Sequence, residues 1–158
     1  MLQTRLKDQG YVYQVINASV SGETTAGGLA RLPRALELHH PKIVILELGG
    51  NDGLRALPIA QMRANLAQMV ELATAAGAKT LLLGMRMPPN YGPEYTGQFA
   101  LVFSDLARDR KLPWVPFLLT DIALSQTLLQ GDDIHPNAAG QPVLLENVWP
   151  TLKPLLRK

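Results

Sequence analysis

Short apolar runs alternate with helix-forming stretches along the chain, and this alternation restricts the fold more than any other feature. Four runs have the β-branched and aromatic composition of buried strands: residues 11–16, 43–48, 80–85 and 114–117. Four further stretches repeat apolar residues at helical spacing: residues 25–39, 59–76, 96–110 and 138–156, the last with an expected interruption at Pro150. The order predicts an α/β fold in three layers, α/β/α, in which helices cover both faces of a parallel sheet.

Length and composition narrow the function classes. With 158 residues and 47% hydrophobic side chains, the chain fills one core and is too short for two ordinary domains, so we expect a single domain over residues 1–158. The formal net charge of +2 comes from scattered Lys and Arg, which argues against a nucleic-acid surface. The lack of cysteine excludes disulfides, thiolate catalysis and Cys-ligated zinc. Apolar runs such as residues 43–46 are too short to span a bilayer, so stable membrane insertion is not expected.

The first residues have apolar side chains at helical spacing. Leu2 and Leu6 stand four apart with basic neighbours, so the chain is predicted to open within an amphipathic helix.

Near the C-terminus, Asp132 and His135 stand three residues apart in a polar turn that Pro136 closes. An aspartate that orients a histidine is half of a Ser-His-Asp arrangement, in which the other ring nitrogen takes a proton from a hydroxyl nucleophile. Two alternatives are an Asp-rich turn without catalytic role and a metal site that also uses Asp52 and Asp133. The metal site is disfavoured because no second histidine is well placed in the sequence.

Two loops after predicted strands carry candidate oxyanion donors. The sequence Gly-Gly-Asn-Asp-Gly follows the run 43–48, where glycines allow a sharp turn and Asn51 offers an amide donor. A tight turn that bonds its own backbone explains the same residues without catalysis. Gly22 precedes a predicted helix, where its N–H is a second candidate donor. A plain helix cap at Ser21 or Thr24 is the alternative there.

Three blocks together resemble the SGNH (GDSL-type) serine hydrolases: Ser-Gly-x-Thr at 21–24, Gly-Gly-Asn-Asp at 49–52 and Asp-x-x-His-Pro-Asn at 132–137. They occur in that family's order. The match is close to the bacterial acyl-CoA thioesterase I, lysophospholipase and arylesterase branch, and it extends from about residue 11 to the C-terminus.

The resemblance implies a flavodoxin-like fold and hydrolysis of small-molecule acyl esters or thioesters, without metal or cofactor. It assigns Gly22 and Asn51 to an oxyanion hole, His135 to the general base and Asp132 to the residue that orients it. Apolar residues in neighbouring loops are expected to contact a small to medium acyl chain: Gly53, Leu54, Leu57, Met87 and Tyr91.

The family's first block, Gly-Asp-Ser-Leu at the end of an N-terminal strand, has no counterpart in this sequence. The nucleophilic serine belongs to that block. The serines that are present do not stand on a sharp strand-to-helix turn: Ser19, Ser21, Ser104 and Ser125. We therefore expect the chain as given to have no useful esterase activity.

The missing block has further consequences. We expect Met1 to be an internal start, and the first strand to leave an apolar slot beside residues 11–16 and 43–48. A signal peptide lost with that strand would make the complete protein periplasmic or secreted, and otherwise it is expected in the cytoplasm. The alternative functions are a non-catalytic remnant that binds acyl ligands or a partner strand, and a metal-dependent phosphoesterase.

Overall fold

The computed structural model describes residues 1–158, and its elements follow the predicted alternation with one exception. The helices are α1 (Leu2–Asp8), α2 (Thr25–His39), α3 (Gly50–Leu54), α4 (Ile59–Ala75), α5 (Pro93–Arg110) and α6 (Gln141–Leu152). The strands are β1 (Ile43–Leu46), β2 (Lys79–Leu83) and β3 (Trp114–Val115), and single 3₁₀ turns lie at Pro89–Tyr91 and Lys153–Leu155. None of the helices combines the length and apolar character needed to cross a membrane.

The sheet is parallel, with strand order β1-β2-β3, and helices cover both of its faces. Successive side chains of β2 point to opposite layers. Leu82 packs into a cluster with α4 and α5, whereas Leu81 and Leu83 pack with residues of α1 and α6. All three leucines are at most 3% exposed, so β2 is buried on both sides as a near-continuous apolar strand should be. The predicted α/β/α arrangement is confirmed.

The prediction of a strand at residues 11–16 is wrong. This segment is extended but belongs to no sheet, and Val12 is 92% exposed. The side-chain amide of Gln3 donates to the Tyr13 carbonyl at 2.9 Å and accepts the Val15 N–H at 2.7 Å. β-branched composition therefore gives an extended chain here, but a strand also needs a main-chain partner, and none lies beside this segment.

The predicted interruption at Pro150 is also wrong. Pro150 lies inside α6, which continues to Leu152 before the last 3₁₀ turn. Proline removes one helical hydrogen bond. That loss is tolerated because Trp149 and Leu152 on either side of it are buried against the sheet, so packing holds the helix together.

Candidate active site

The turn at residues 130–137 holds a carboxylate against an imidazole. His135 Nδ1 lies 2.6 Å from Asp132 Oδ2, while Asp132 Oδ1 accepts the main-chain N–H groups of Ile134 and His135, each at 3.0 Å. The Asn137 side-chain amide donates to two carbonyls of residues 127–129, each at 2.9 Å. The pair expected from the sequence is therefore formed, and its turn is fixed by local hydrogen bonds.

These contacts favour the ionised form of Asp132. The N–H of His135, its imidazole and the N–H of Ile134 hold the pKa of this carboxyl well below its ordinary value of 3.8. An ionised carboxylate only accepts hydrogen bonds, so the proton of the neutral ring sits on Nδ1 and Nε2 is left as an acceptor. The His135 side chain is 67% exposed, and Nε2 has no hydrogen-bond partner in the protein. This nitrogen is free to take a proton.

Gly22 and Asn51 both carry donors without a protein partner. Asn51 lies in the first turn of α3, directly after Gly49 and Gly50. Gly49 has φ 116°, and a Cβ there would lie 3.1 Å from the sulfur of Met62, so glycine is required for this turn. Gly22 has φ 74°. Thr24 is the N-cap of α2 and accepts a main-chain N–H at 3.4 Å, so the helix cap does not use Gly22.

Asp52 has a role that the sequence did not reveal, because it ties α3 to the start of α2. Its carboxylate, 4% exposed, accepts the Thr25 N–H at 2.8 Å and the Thr25 hydroxyl at 2.5 Å. Asn65 of α4 donates to the same hydroxyl oxygen at 3.0 Å. Arg55 adds a second tie by donating to the Gly22 carbonyl at 3.0 Å. The loops that carry Gly22 and Asn51 are therefore fastened to each other.

The same contacts bear on the metal-site alternative. Both carboxylate oxygens of Asp52 are engaged by Thr25, so Asp52 does not join Asp132, Asp133 and His135. No group of three or more His, Asp or Glu side chains is placed to hold a metal ion.

Four of the five residues expected to contact substrate lie together: Gly53, Leu54, Met87 and Tyr91. The Tyr91 hydroxyl donates to the Leu54 carbonyl at 3.0 Å, and a Cβ on Gly53 would lie 2.4 Å from the sulfur of Met87. Tyr95, which the sequence analysis missed, donates to the Gly53 carbonyl at 3.3 Å and stacks on Tyr91 with ring centroids 6.1 Å apart. Two tyrosines four residues apart, just before the predicted helix 96–110, were the available signal. Leu57 makes none of these contacts and is 38% exposed.

None of the four serines gives a hydroxyl to His135. Ser104 donates to the Leu101 carbonyl at 3.1 Å inside α5, and the Ser125 hydroxyl pairs with a threonine hydroxyl at 3.2 Å. The hydroxyls of the other two serines make no hydrogen bond. The chain thus has an oriented imidazole and two free donors, with no hydroxyl within hydrogen-bond distance of the imidazole.

Known proteins resemble the chain over nearly its whole length. The model of the GDSL-like lipase/acylhydrolase family matches residues 1–143. Esterase TesA of Pseudomonas aeruginosa is 56% identical over 156 residues, which cover 99% of this chain and 78% of that protein. The thioesterase 1/protease 1/lysophospholipase L1 of Escherichia coli is 41% identical over 142 residues, covering 90% and 68% of the two chains. The crystal structure of the esterase EstA from Pseudoalteromonas, inhibited by monoethylphosphonate, superimposes with a TM-score of 0.91 at 38% identity, covering 97% and 84%.

Proposed function

The chain belongs to the GDSL-like lipase/acylhydrolase family, and from this membership we propose that its site is built for hydrolysis of carboxylic esters or acyl thioesters. The observation that carries the proposal is the Asp132–His135 pair, in which the carboxylate engages Nδ1 and leaves Nε2 free. Relatives at 56% and 41% identity are named as an esterase and as a thioesterase and lysophospholipase, which supports both substrate types.

In the proposed mechanism, His135 is the general base. It takes the proton of a serine hydroxyl as the oxygen attacks the acyl carbonyl, and it returns the proton to the leaving alcohol or thiol. Asp132 stabilises the imidazolium that forms between these steps. The Gly22 N–H and the Asn51 amide donate to the oxyanion, because both are free and their loops are tied together through Asp52 and Arg55.

The acyl chain is proposed to lie against the loops that follow β1 and β2. Gly53, Leu54, Met87 and Tyr91 form an apolar corner there, which Tyr95 closes. Leu57, which is 38% exposed and makes none of these contacts, remains a proposed substrate contact from the same loop as Leu54. This surface suits a small to medium acyl chain. A small-molecule ester or thioester is therefore the proposed substrate, and no nucleic-acid or membrane-inserted partner is needed.

We further propose that this chain by itself does not turn over esters, because no hydroxyl stands at His135. Removing the nucleophile of a serine hydrolase costs roughly 10⁶ in turnover. The remaining base and oxyanion donors accelerate ester hydrolysis only weakly.

Incubation of the purified chain with p-nitrophenyl butyrate and a fluorophosphonate probe tests this proposal. We expect hydrolysis no faster than that of the His135→Ala variant, and no labelled serine. Robust turnover that His135→Ala abolishes, or a labelled serine, would show that the chain holds its own nucleophile. Activity on phosphate esters that EDTA abolishes would instead support a metal-dependent phosphoesterase.

A further inference from the structure

The turn that carries His135 has no core packing of its own. Residues 130–135 are all exposed, and the His135 side chain is 67% exposed. The hydrogen bonds between Asp132 and His135 lie inside the turn, so they orient the ring against the carboxylate but do not place it relative to the rest of the protein. The turn must therefore take its position from the segments on either side of it.

Main-chain hydrogen bonds join these two segments. The Gln130 N–H donates to the His135 carbonyl at 2.8 Å, and the Asn137 N–H donates to the Leu128 carbonyl at 2.9 Å. Both bonds connect the turn to the end of the preceding loop, residues 118–129, which follows β3. The turn is therefore closed at its base by the last residues of this loop.

The side chain of Asn137 adds four hydrogen bonds at the same place. Its amide nitrogen donates to the carbonyls of Thr127 and Leu129, each at 2.9 Å. Its oxygen accepts the N–H of Ala139 at 2.9 Å and the N–H of Gly140 at 3.2 Å. Both amide hydrogens and both acceptor positions of the oxygen are in use, whereas an aspartate offers no donor and a serine offers one. Asn137 thus joins the 118–129 loop, the turn and the start of α6.

The glycine before α6 shows how closely these segments approach. A Cβ on Gly140 would lie 2.6 Å from the Leu128 carbonyl oxygen and 3.1 Å from the Pro136 Cβ. The main chain before α6 therefore lies directly against the main chain of the loop, with no space for a side chain between them. This packing keeps the four partners of Asn137 within reach of one side chain.

A second asparagine holds the other end of the same loop. Asn147 of α6 donates from its amide nitrogen to the Leu118 carbonyl at 2.9 Å and to the Thr120 carbonyl at 2.8 Å. Asn147 and Asn137 therefore make the same pair of amide-to-carbonyl bonds to one loop. Only Asn137 also belongs to the segment that carries His135, two residues after it.

We propose that Asn137 is a positioning residue for ester hydrolysis, because it fixes the His135 turn to the 118–129 loop and to α6. The role of His135 as the base rests on the proposed function. A general base acts only within hydrogen-bond reach of the proton it takes, about 2.6–3.2 Å. Without the Asn137 amide, the Asp132–His135 pair stays formed inside its turn but loses its fixed place relative to the donors of Gly22 and Asn51.

NMR spectroscopy on the purified chain tests this role with Asn137→Ala and Asn137→Ser, and with Asn147→Ala as the matched control. Amide hydrogen exchange and the His135 tautomer are two of the measurements. The third is the broadening of the His135 ring protons by a spin label on Ser21→Cys. The chain has no cysteine of its own and Ser21 is exposed, so the single label reports on the distance from the Gly22 loop to the ring.

In Asn137→Ala, we expect the amides of Gln130 and Asn137 position to exchange at least about tenfold faster, because two hydrogen bonds to the loop are lost. Exchange at Leu82 in β2 should not change. The broadening of the His135 ring should change, whereas its tautomer should not, since Asp132 sets the tautomer within the turn.

The other two variants identify the cause. Asn137→Ser retains a hydroxyl acceptor for the turn but lacks the two amide donors, so it should release the turn as Asn137→Ala does. It also carries the comparison if thermal melting shows that Asn137→Ala does not fold. Asn147→Ala should lower Tm by a similar amount but leave the exchange at Gln130 and the broadening at His135 unchanged.

Three results would overturn the assignment of Asn137. The first is unchanged exchange at Gln130 in both Asn137 variants. The second is an equal change of the His135 broadening in Asn147→Ala, which would reflect loosening of the loop in general. The third is loss of protection that is as large at Leu82 as in the turn, which would show a role in overall stability alone. If the turn is released as expected but the ring of the unmodified chain is protonated on Nε2, Asn137 positions the turn and the proposed esterase function fails.

Discussion

Replacing Asp52 by alanine is expected to destabilise the protein by about 3 kcal/mol. The carboxylate is 4% exposed and accepts two hydrogen bonds from Thr25, whose side chain is fully buried. Hydrogen bonds to a charged group contribute about 1.5–3 kcal/mol each, and the change leaves the Thr25 donors without their acceptor. In a domain of this size, 1 kcal/mol lowers Tm by about 2–4 °C, so a fall of about 6–12 °C is expected in a thermal melt followed by circular dichroism.

Three comparisons separate this hydrogen-bond effect from a general loss of packing. Asp52→Asn keeps the shape of the side chain and one oxygen acceptor for Thr25, so it should destabilise the protein about half as much as Asp52→Ala. Thr25→Val removes the hydroxyl but not the N–H, and a double-mutant cycle with Asp52→Asn should show a coupling of at least about 1 kcal/mol. Glu37→Ala, on the exposed face of α2, should change stability by less than about 0.5 kcal/mol. A cost below about 1 kcal/mol for Asp52→Ala, with additive double mutants, would refute the assigned role.

Three further predictions concern single groups. Because folding lowers the pKa of Asp132, the stability that this carboxylate contributes is fully present above pH 3.8 and is lost only as the pH falls through the lower pKa of the folded state. An NMR titration with a midpoint at or above pH 3.8 for this carboxyl would contradict the hydrogen bonds described. Glu47 is exposed as a residue, but protein atoms close to its carboxyl partly desolvate this group and raise its pKa above 4.5. Its contribution to stability is therefore present below pH 4.5 and is lost as pH rises. Glu47→Gln should therefore raise Tm at neutral pH and leave it unchanged below pH 4. Gly53→Ala should destabilise the protein by about 1–3 kcal/mol in chemical denaturation, because its Cβ would lie 2.7 Å from the buried ring of Phe99 as well as 2.4 Å from a methionine sulfur. Gly97→Ala, in α5 with no atom within 4 Å, should instead stabilise it by about 0.5–1 kcal/mol.

Most of the fold was predictable because strand and helix patterns here are long and consistent. Leu81, Leu82 and Leu83 form one apolar run whose alternate residues pack into opposite layers, which is the property of a buried parallel strand. The segment 11–16 was not predictable by the same reasoning. Its residues favour an extended chain, but strand formation depends on a neighbour, and propensity says nothing about whether one is present.

The candidate site was also predictable only in part. Asp132 and His135 are three residues apart, so a local turn brings them together and the sequence shows the pair directly. Asp52 and Thr25 are 27 residues apart and meet only because α3 and the start of α2 lie side by side. A buried pair of this kind depends on tertiary packing, so the sequence alone indicates only a turn residue or metal ligand at Asp52 and a helix start at Thr25.

The tautomer of His135 tests the central claim most directly, because a general base must present an unprotonated Nε2. A long-range proton–nitrogen correlation spectrum at pH 8, assigned with His135→Gln, distinguishes this ring from His39 and His40. The hydrogen bond to Asp132 predicts a ring protonated on Nδ1, and Asp132→Asn should abolish that preference. A His135 ring protonated on Nε2, or one averaging between tautomers in the unmodified chain, would contradict the assignment of this residue as the base.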